Sequence, residues 1–153
     1  MNWEEIVGQK KVIETLKDAI DKERVGHAQL FIGEEGFGVL PLALAYAKEI
    51  LKRENEHAAS KVEHLNHLDL HFSFPVFTEK NNSLSQRLFE DFRNMILKNP
   101  YASINDWNEV LDAQNKQLFI SADEVDALNQ KFALKSFEGG TKILIIWRAD
   151  KMN

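Results

Sequence analysis

Residues 27–51 place the tightest constraint on what this chain can fold into. His27-Ala-Gln-Leu-Phe-Ile32 is a short apolar run suited to a buried strand. It leads into a glycine-rich turn, Gly33-Glu-Glu-Gly36-Phe-Gly38, and Leu42 to Leu51 is then rich in Ala and Leu and predicts a helix. Strand, glycine loop and helix in that order open an α/β nucleotide-binding unit.

A working phosphate loop reads Gly-x4-Gly-Lys-[Ser/Thr]. Its backbone N–H groups point at the phosphates, its lysine neutralises them, and its hydroxyl holds Mg²⁺. Here Gly33, Gly36 and Gly38 keep the frame, but Val39 stands at the lysine position and Leu40 at the hydroxyl position. Glu34 and Glu35 add negative charge where a triphosphate would sit. Pro41 falls in the first turn of the following helix, where a missing N–H is tolerated. On its own the stretch is described equally well as a glycine-rich turn.

A second signature separates the two descriptions. Phosphate-loop ATPases end a central strand with an acidic pair, one carboxylate for Mg²⁺ and one to activate water. Lys142-Ile-Leu-Ile-Ile-Trp147 is the clearest strand in the chain and is expected to be buried. Trp147 and Arg148 occupy its two acidic positions, and neither ligates a metal or acts as a base. Asp150 lies three residues beyond Trp147, too late to replace the lost acid, and reads as a solvated loop residue. Two losses inside a retained pattern predict a scaffold rather than an enzyme.

Elsewhere, Lys10 to Ile20 spaces Val12, Ile13, Leu16, Ala19 and Ile20 as one face of a helix. Asp69 to Phe77 alternates Leu70, Phe72, Phe74 and Val76 against polar or exposed partners and predicts a strand, with Pro75 marking an edge or an end. Ser83 to Lys98 predicts a helix carrying Leu84, Leu88, Phe92, Met95 and Ile96, stopped by Asn99-Pro100. Trp107, Val110 and Leu111 fit a short helix, and Gln117 to Ile120 a brief strand. Ser121-Ala-Asp-Glu124 has the form of a capping box, opening a helix expected to bury Ala122, Val125, Leu128 and Phe132. Gly139-Gly140 predicts a turn. The fold class is therefore α/β, a three-layer α/β/α arrangement with a mainly parallel sheet, in one domain over residues 1–153. Six residues follow Trp147, so the chain is expected to be a domain piece.

Composition excludes several classes. Apolar residues make up 44% and charged residues 28%, as in a globular domain and unlike a disordered chain. No apolar run approaches the roughly 20 residues of a membrane span. The net charge of −5 offers no basic footprint for independent nucleic-acid binding. There are no cysteines, which excludes disulfides and thiolate metal sites and fits a cytoplasmic setting.

Several stretches together resemble the AAA+ clamp-loader subunits of bacterial DNA polymerase III, of the delta-prime type. Trp3 to Gln9 (W-E-E-I-V-G-Q) is similar to the motif near the start of those subunits, and His27 to Gly33 to their His-Ala-x-Leu-Phe-x-Gly. Ile120 to Val125, Lys142 to Ile146 and Asp150 to Asn153 resemble the later stretches. The resemblance implies a non-catalytic stator that binds no ATP and supports loading of a sliding clamp onto primed DNA. Its implied partners are gamma/tau-type motor subunits and a delta subunit, with clamp and DNA met through the complex and no membrane involved. The family's lid, collar and arginine finger would lie beyond Asn153, so the isolated domain is expected to be monomeric. Decay of both ATPase signatures is expected of delta-prime subunits and not of the motors.

The family's four-cysteine zinc module falls between Arg53 and His67, a region without cysteine here. Helical spacing would gather His64, His67 and His71, and imidazoles bind zinc, but structural zinc sites favour thiolates and the stretch after Leu70 reads as strand. The zinc is expected to be lost. Trp107, Phe77 and Phe89 are read as core residues ahead of interface anchors. Two competing functions stand beside the stator: a nucleotide-binding AAA+ ATPase with an altered loop, and a remodelling protein whose degenerate domain serves protein contacts.

Overall fold

The computed structural model describes residues 1–138 and 140–153. Among the described residues, six helices and a small parallel sheet make up the regular structure, in the order α1 (Lys10–Asp21), α2 (Val39–Glu54), α3 (Ala58–Glu63), β1 (Leu70–Ser73), α4 (Phe89–Lys98), α5 (Ile104–Val110), α6 (Ala122–Ala133) and β2 (Ile143–Ile146). Short 3-10 turns occur at Trp3–Glu5, Ser85–Leu88 and Ala149–Lys151. Among the described residues no helix is long and apolar enough to cross a membrane.

β1 and β2 run parallel with Leu70 opposite Ile143 and Ser73 opposite Ile146. A parallel pair needs a long crossover between its strands, and here that crossover carries α4, α5 and α6. The principal core forms around Phe72 and Phe74 of the β1 segment. Phe74 stacks on Phe92 of α4 with ring centroids 4.0 Å apart, and Trp107 of α5 stands edge-on to both rings. Trp107 is fully buried and its indole N–H donates to the Pro75 carbonyl at 2.8 Å, so the one polar atom of the ring is satisfied. Phe77 and Phe89 are half-buried and pack against this cluster, as expected of core residues. A second cluster joins Leu16 and Ile20 of α1 to Leu42 and Tyr46 of α2.

Several expectations are corrected. His27–Ile32 is not a buried strand: Leu30 is 77% and Ile32 86% exposed, and among the described residues no main-chain ladder pairs it with β1 or β2. Only Phe31 turns inward, onto Tyr46 of α2. An apolar run specifies a strand only where a neighbouring edge accepts its hydrogen bonds, and none lies beside it here. β2 is half-buried rather than buried, although Trp147 after it is buried. Gln117–Ile120 reduces to bridges, Phe119 with Val76 and Ile120 with Met152. In β1 the polar alternates His71 and Ser73 are buried along with their apolar neighbours, and Phe132 of α6 meets His71 edge-on at 5.3 Å. The helix expected from Ser83 begins as the 3-10 turn, and α4 proper starts at Phe89.

The helix expected after Ser121 is present as α6, but Ala122 and Val125 are exposed and Leu128 and Phe132 only half-buried. Half of the capping box forms: Ser121 Oγ accepts from the Glu124 N–H at 3.1 Å. The other half is diverted, since the buried Glu124 carboxylate accepts instead from the Ser85 N–H at 2.9 Å and from its hydroxyl. Of the Gly139-Gly140 turn, Gly139 lies outside the described residues. Gly140 lies against the Glu54 carboxylate, which accepts from the Thr141 N–H at 2.7 Å and would have to shift for a side chain at residue 140.

Candidate functional site: a glycine loop closed on itself

The loop leads into α2 through Gly38, whose φ of +92° is left-handed and favours glycine, as does Gly36 at +79°. The Gly38 carbonyl accepts the first helical bond from Leu42 at 2.9 Å. Val39, Leu40 and Pro41 form the first turn of α2, where Pro41 leaves no N–H orphaned. The loop-to-helix shape expected from the glycines is thus present without its strand.

The two replaced positions look in opposite directions. Leu40, at the hydroxyl position, is buried in the principal core. Val39, at the lysine position, folds back over the loop: a Cβ added to Gly33 would meet Val39 Cγ2 at 2.6 Å.

At the other signature, Trp147 is buried and packs on Phe92, with ring centroids 5.6 Å apart. Arg148 adopts a left-handed φ of +61°. Nε and Nη2 each donate to one oxygen of Asp150 at 2.7 Å. Nη1 pairs with Glu35 of the glycine loop. The hydrogen bonds to Asp150, assisted by the Glu35 charge, hold Arg148 above arginine's ordinary range, and the same contact holds Asp150 below the usual carboxylate range. Asp150 is therefore an ion-pair partner and not merely a solvated loop residue. Glu35 also accepts from the Ile104 N–H, at 3.1 Å. The glycine loop and the end of β2, two stretches far apart in sequence, touch through Glu35 and Arg148. No local pattern announces a contact between residues so distant in sequence.

The histidines do not converge. His64 caps the exposed end of α3 and its carbonyl accepts from Arg93 Nε at 2.7 Å. His67 is buried in the following loop, where Nδ1 accepts from the Asp69 N–H at 3.1 Å and Nε2 lies 3.6 Å from Glu138. His71 is buried in β1, with no hydrogen-bond partner for Nε2 among the described residues. The helical spacing that would gather them is not adopted, because α3 ends at Glu63 and β1 begins at Leu70. Among the described residues, no three His, Cys, Asp or Glu side chains are arranged to hold a metal. The region is fastened by Glu138, which takes hydrogen bonds from Lys61 and Asn55.

An α/β chain in which a glycine-rich turn opens a helix and an ion pair ties that turn to the end of a parallel strand is the class that fold and site define. Within that class, this chain belongs to the family described as DNA polymerase III, delta subunit, whose model matches residues 8–153. It is similar to the DNA polymerase III subunit delta' of Bacillus subtilis (strain 168), being 32% identical over 100 residues. That stretch covers 60% of this chain and 30% of the relative, so the chain spans under a third of the relative's length in the match. No solved structure matches the chain.

Proposed function

We propose that this chain is the nucleotide-binding-fold portion of a delta-prime-type clamp-loader subunit, acting as a non-catalytic stator while other subunits hydrolyse ATP. Its sheet and flanking helices then belong to the three-layer α/β/α arrangement of AAA+ proteins, in one domain over residues 1–153. The observation that carries the reading is the contact between the two altered signatures. Where an ATPase sets a lysine and an acidic pair around Mg²⁺ and phosphate, this chain sets Val39 against Gly33 and pairs Arg148 with Glu35. An arginine and a tryptophan at the strand end supply neither a metal ligand nor a base. ATP and zinc are accordingly not cofactors of this chain. Its partners are gamma/tau-type motor subunits and a delta subunit in the cytoplasm, and it meets the sliding clamp and primed DNA through their complex.

The test has two arms. Full-length protein mixed with the motor and delta subunits of its own source should co-elute as one assembly on gel filtration. Calorimetry with MgATP should give no Mg²⁺-dependent heat. Tight Mg²⁺-dependent binding, or turnover by the purified protein, would replace the stator with an active nucleotide-binding subunit.

A further inference from the structure

The Glu35 carboxylate lies where three separate parts of the chain meet. Glu35 belongs to the glycine loop, Arg148 follows β2, and Ile104 opens α5. We propose that Glu35 is an internal tether, accepting from Arg148 and from the Ile104 N–H so that the glycine loop keeps one shape whether or not nucleotide is offered. Arg148 is the matching positioning residue. Its left-handed backbone is a conformation that residues other than glycine rarely adopt, and the two-pronged contact with Asp150 fixes the guanidinium in the direction of the loop.

The geometry accounts for a loop that has lost the contacts ordinarily made to phosphate. In a working site the bound nucleotide and its metal bridge the loop to the strand end. Here the chain's own carboxylate makes that bridge to a cation at the strand end. Gln9 adds a weaker hold, with Nε2 donating to the Phe37 carbonyl at 3.3 Å. The main-chain turn inside the loop is slight, since Phe37 N–H reaches Glu34 O at 3.3 Å. Without Glu35, little besides this turn and the Gln9 contact restrains residues 34–37.

This inference rests on the reading of the loop as a scaffold, and amide hydrogen exchange on the full chain tests it. Glu35→Ala and Arg148→Ala should each speed exchange at residues 34–37 about tenfold. The double variant should be no faster than Glu35→Ala alone, because that change already removes the Arg148 contact together with the one to Ile104. Glu35→Gln retains an oxygen for the Ile104 N–H but loses the charge. It should leave Ile104 protected, and it should abolish the salt sensitivity expected of loop exchange in the parent. Unchanged loop exchange in both alanine variants, or additive effects in the double variant, would overturn the tether and leave the scaffold reading standing. Tight MgATP binding by the parent chain would overturn the scaffold reading, whatever the exchange pattern.

Discussion

The Val39 side chain lies against the α-carbon of Gly33, close enough that a Cβ at residue 33 would come within 2.6 Å of Val39 Cγ2. A branched side chain has little rotamer freedom with which to yield. Gly33→Ala is therefore expected to destabilise the chain by about 1–3 kcal/mol through overpacking. Gly33→Ala/Val39→Ala should recover most of that loss, since the second change removes the atom in the way. Urea denaturation of the two variants and the parent measures both effects, and an additive double variant would place the clash elsewhere.

Restoring the consensus of a phosphate loop should fail in a specific manner. Val39→Lys replaces a half-buried side chain near the surface and is expected to be tolerated. Leu40→Thr puts a hydroxyl and a smaller side chain into the principal core, at a cost of about 2–3 kcal/mol. Neither change supplies an acid at Trp147 or Arg148. The double variant should melt earlier than the parent and show no ATP turnover; measurable hydrolysis would mean that a carboxylate elsewhere serves the metal.

The helices were more legible in the sequence than the sheet, for a physical reason. A helix satisfies its main-chain bonds locally, so the spacing of Leu16 and Ile20, or the Asn99-Pro100 stop, predicts it from nearby residues alone. A strand depends on a partner edge. Residues 27–32 and 143–146 are similarly apolar, but only the second pairs, with β1, and the first lies open. That Val39, Leu40, Trp147 and Arg148 are residue types without phosphate or metal chemistry is read from the sequence alone, because it depends on residue type. That Glu35 answers Arg148, and that Asp150 orients it, was not readable. Those contacts depend on how the loop and the strand end are brought together in space.

His71 makes stability depend on pH. Burial pushes its pKa down to about 4, and the nearby Lys131 and Lys142 charges push the same way, while Asp69 opposes them and His67 adds slightly to the fall. Its ordinary value is 6.5, so between about 6.5 and 4 the unfolded chain binds the proton that the folded chain refuses. Stability is therefore intact above about pH 6.5 and falls as the pH drops towards 4, by at most about 3 kcal/mol from this group. His71→Leu removes the titrating group, and the unpartnered Nε2 gives up no hydrogen bond in the exchange. Denaturation between pH 4 and 7 should show a flatter slope for this variant than for the parent, and equal slopes would assign the acid sensitivity to other groups.

Asp69 is 1% exposed, and its two oxygens accept from consecutive main-chain N–H groups, Phe137 at 2.8 Å and Glu138 at 2.9 Å. These bonds dock the segment between α6 and β2 onto the start of β1. Glu138 then reaches Lys61 and Asn55 at the α2–α3 corner, and Lys61 holds its carboxyl below the usual range. Asp69→Ala leaves both N–H groups without acceptors and should cost about 2–4 kcal/mol. Asp69→Asn keeps one acceptor oxygen, and its amide nitrogen meets the second N–H donor to donor, so it should recover only part of that loss. Exchange at the Phe137 and Glu138 amides separates local from global loss. If docking is what Asp69 provides, those two amides and the α3 amides accelerate more than the amides of α4, whereas a uniform rise would mean that Asp69 supports the fold as a whole.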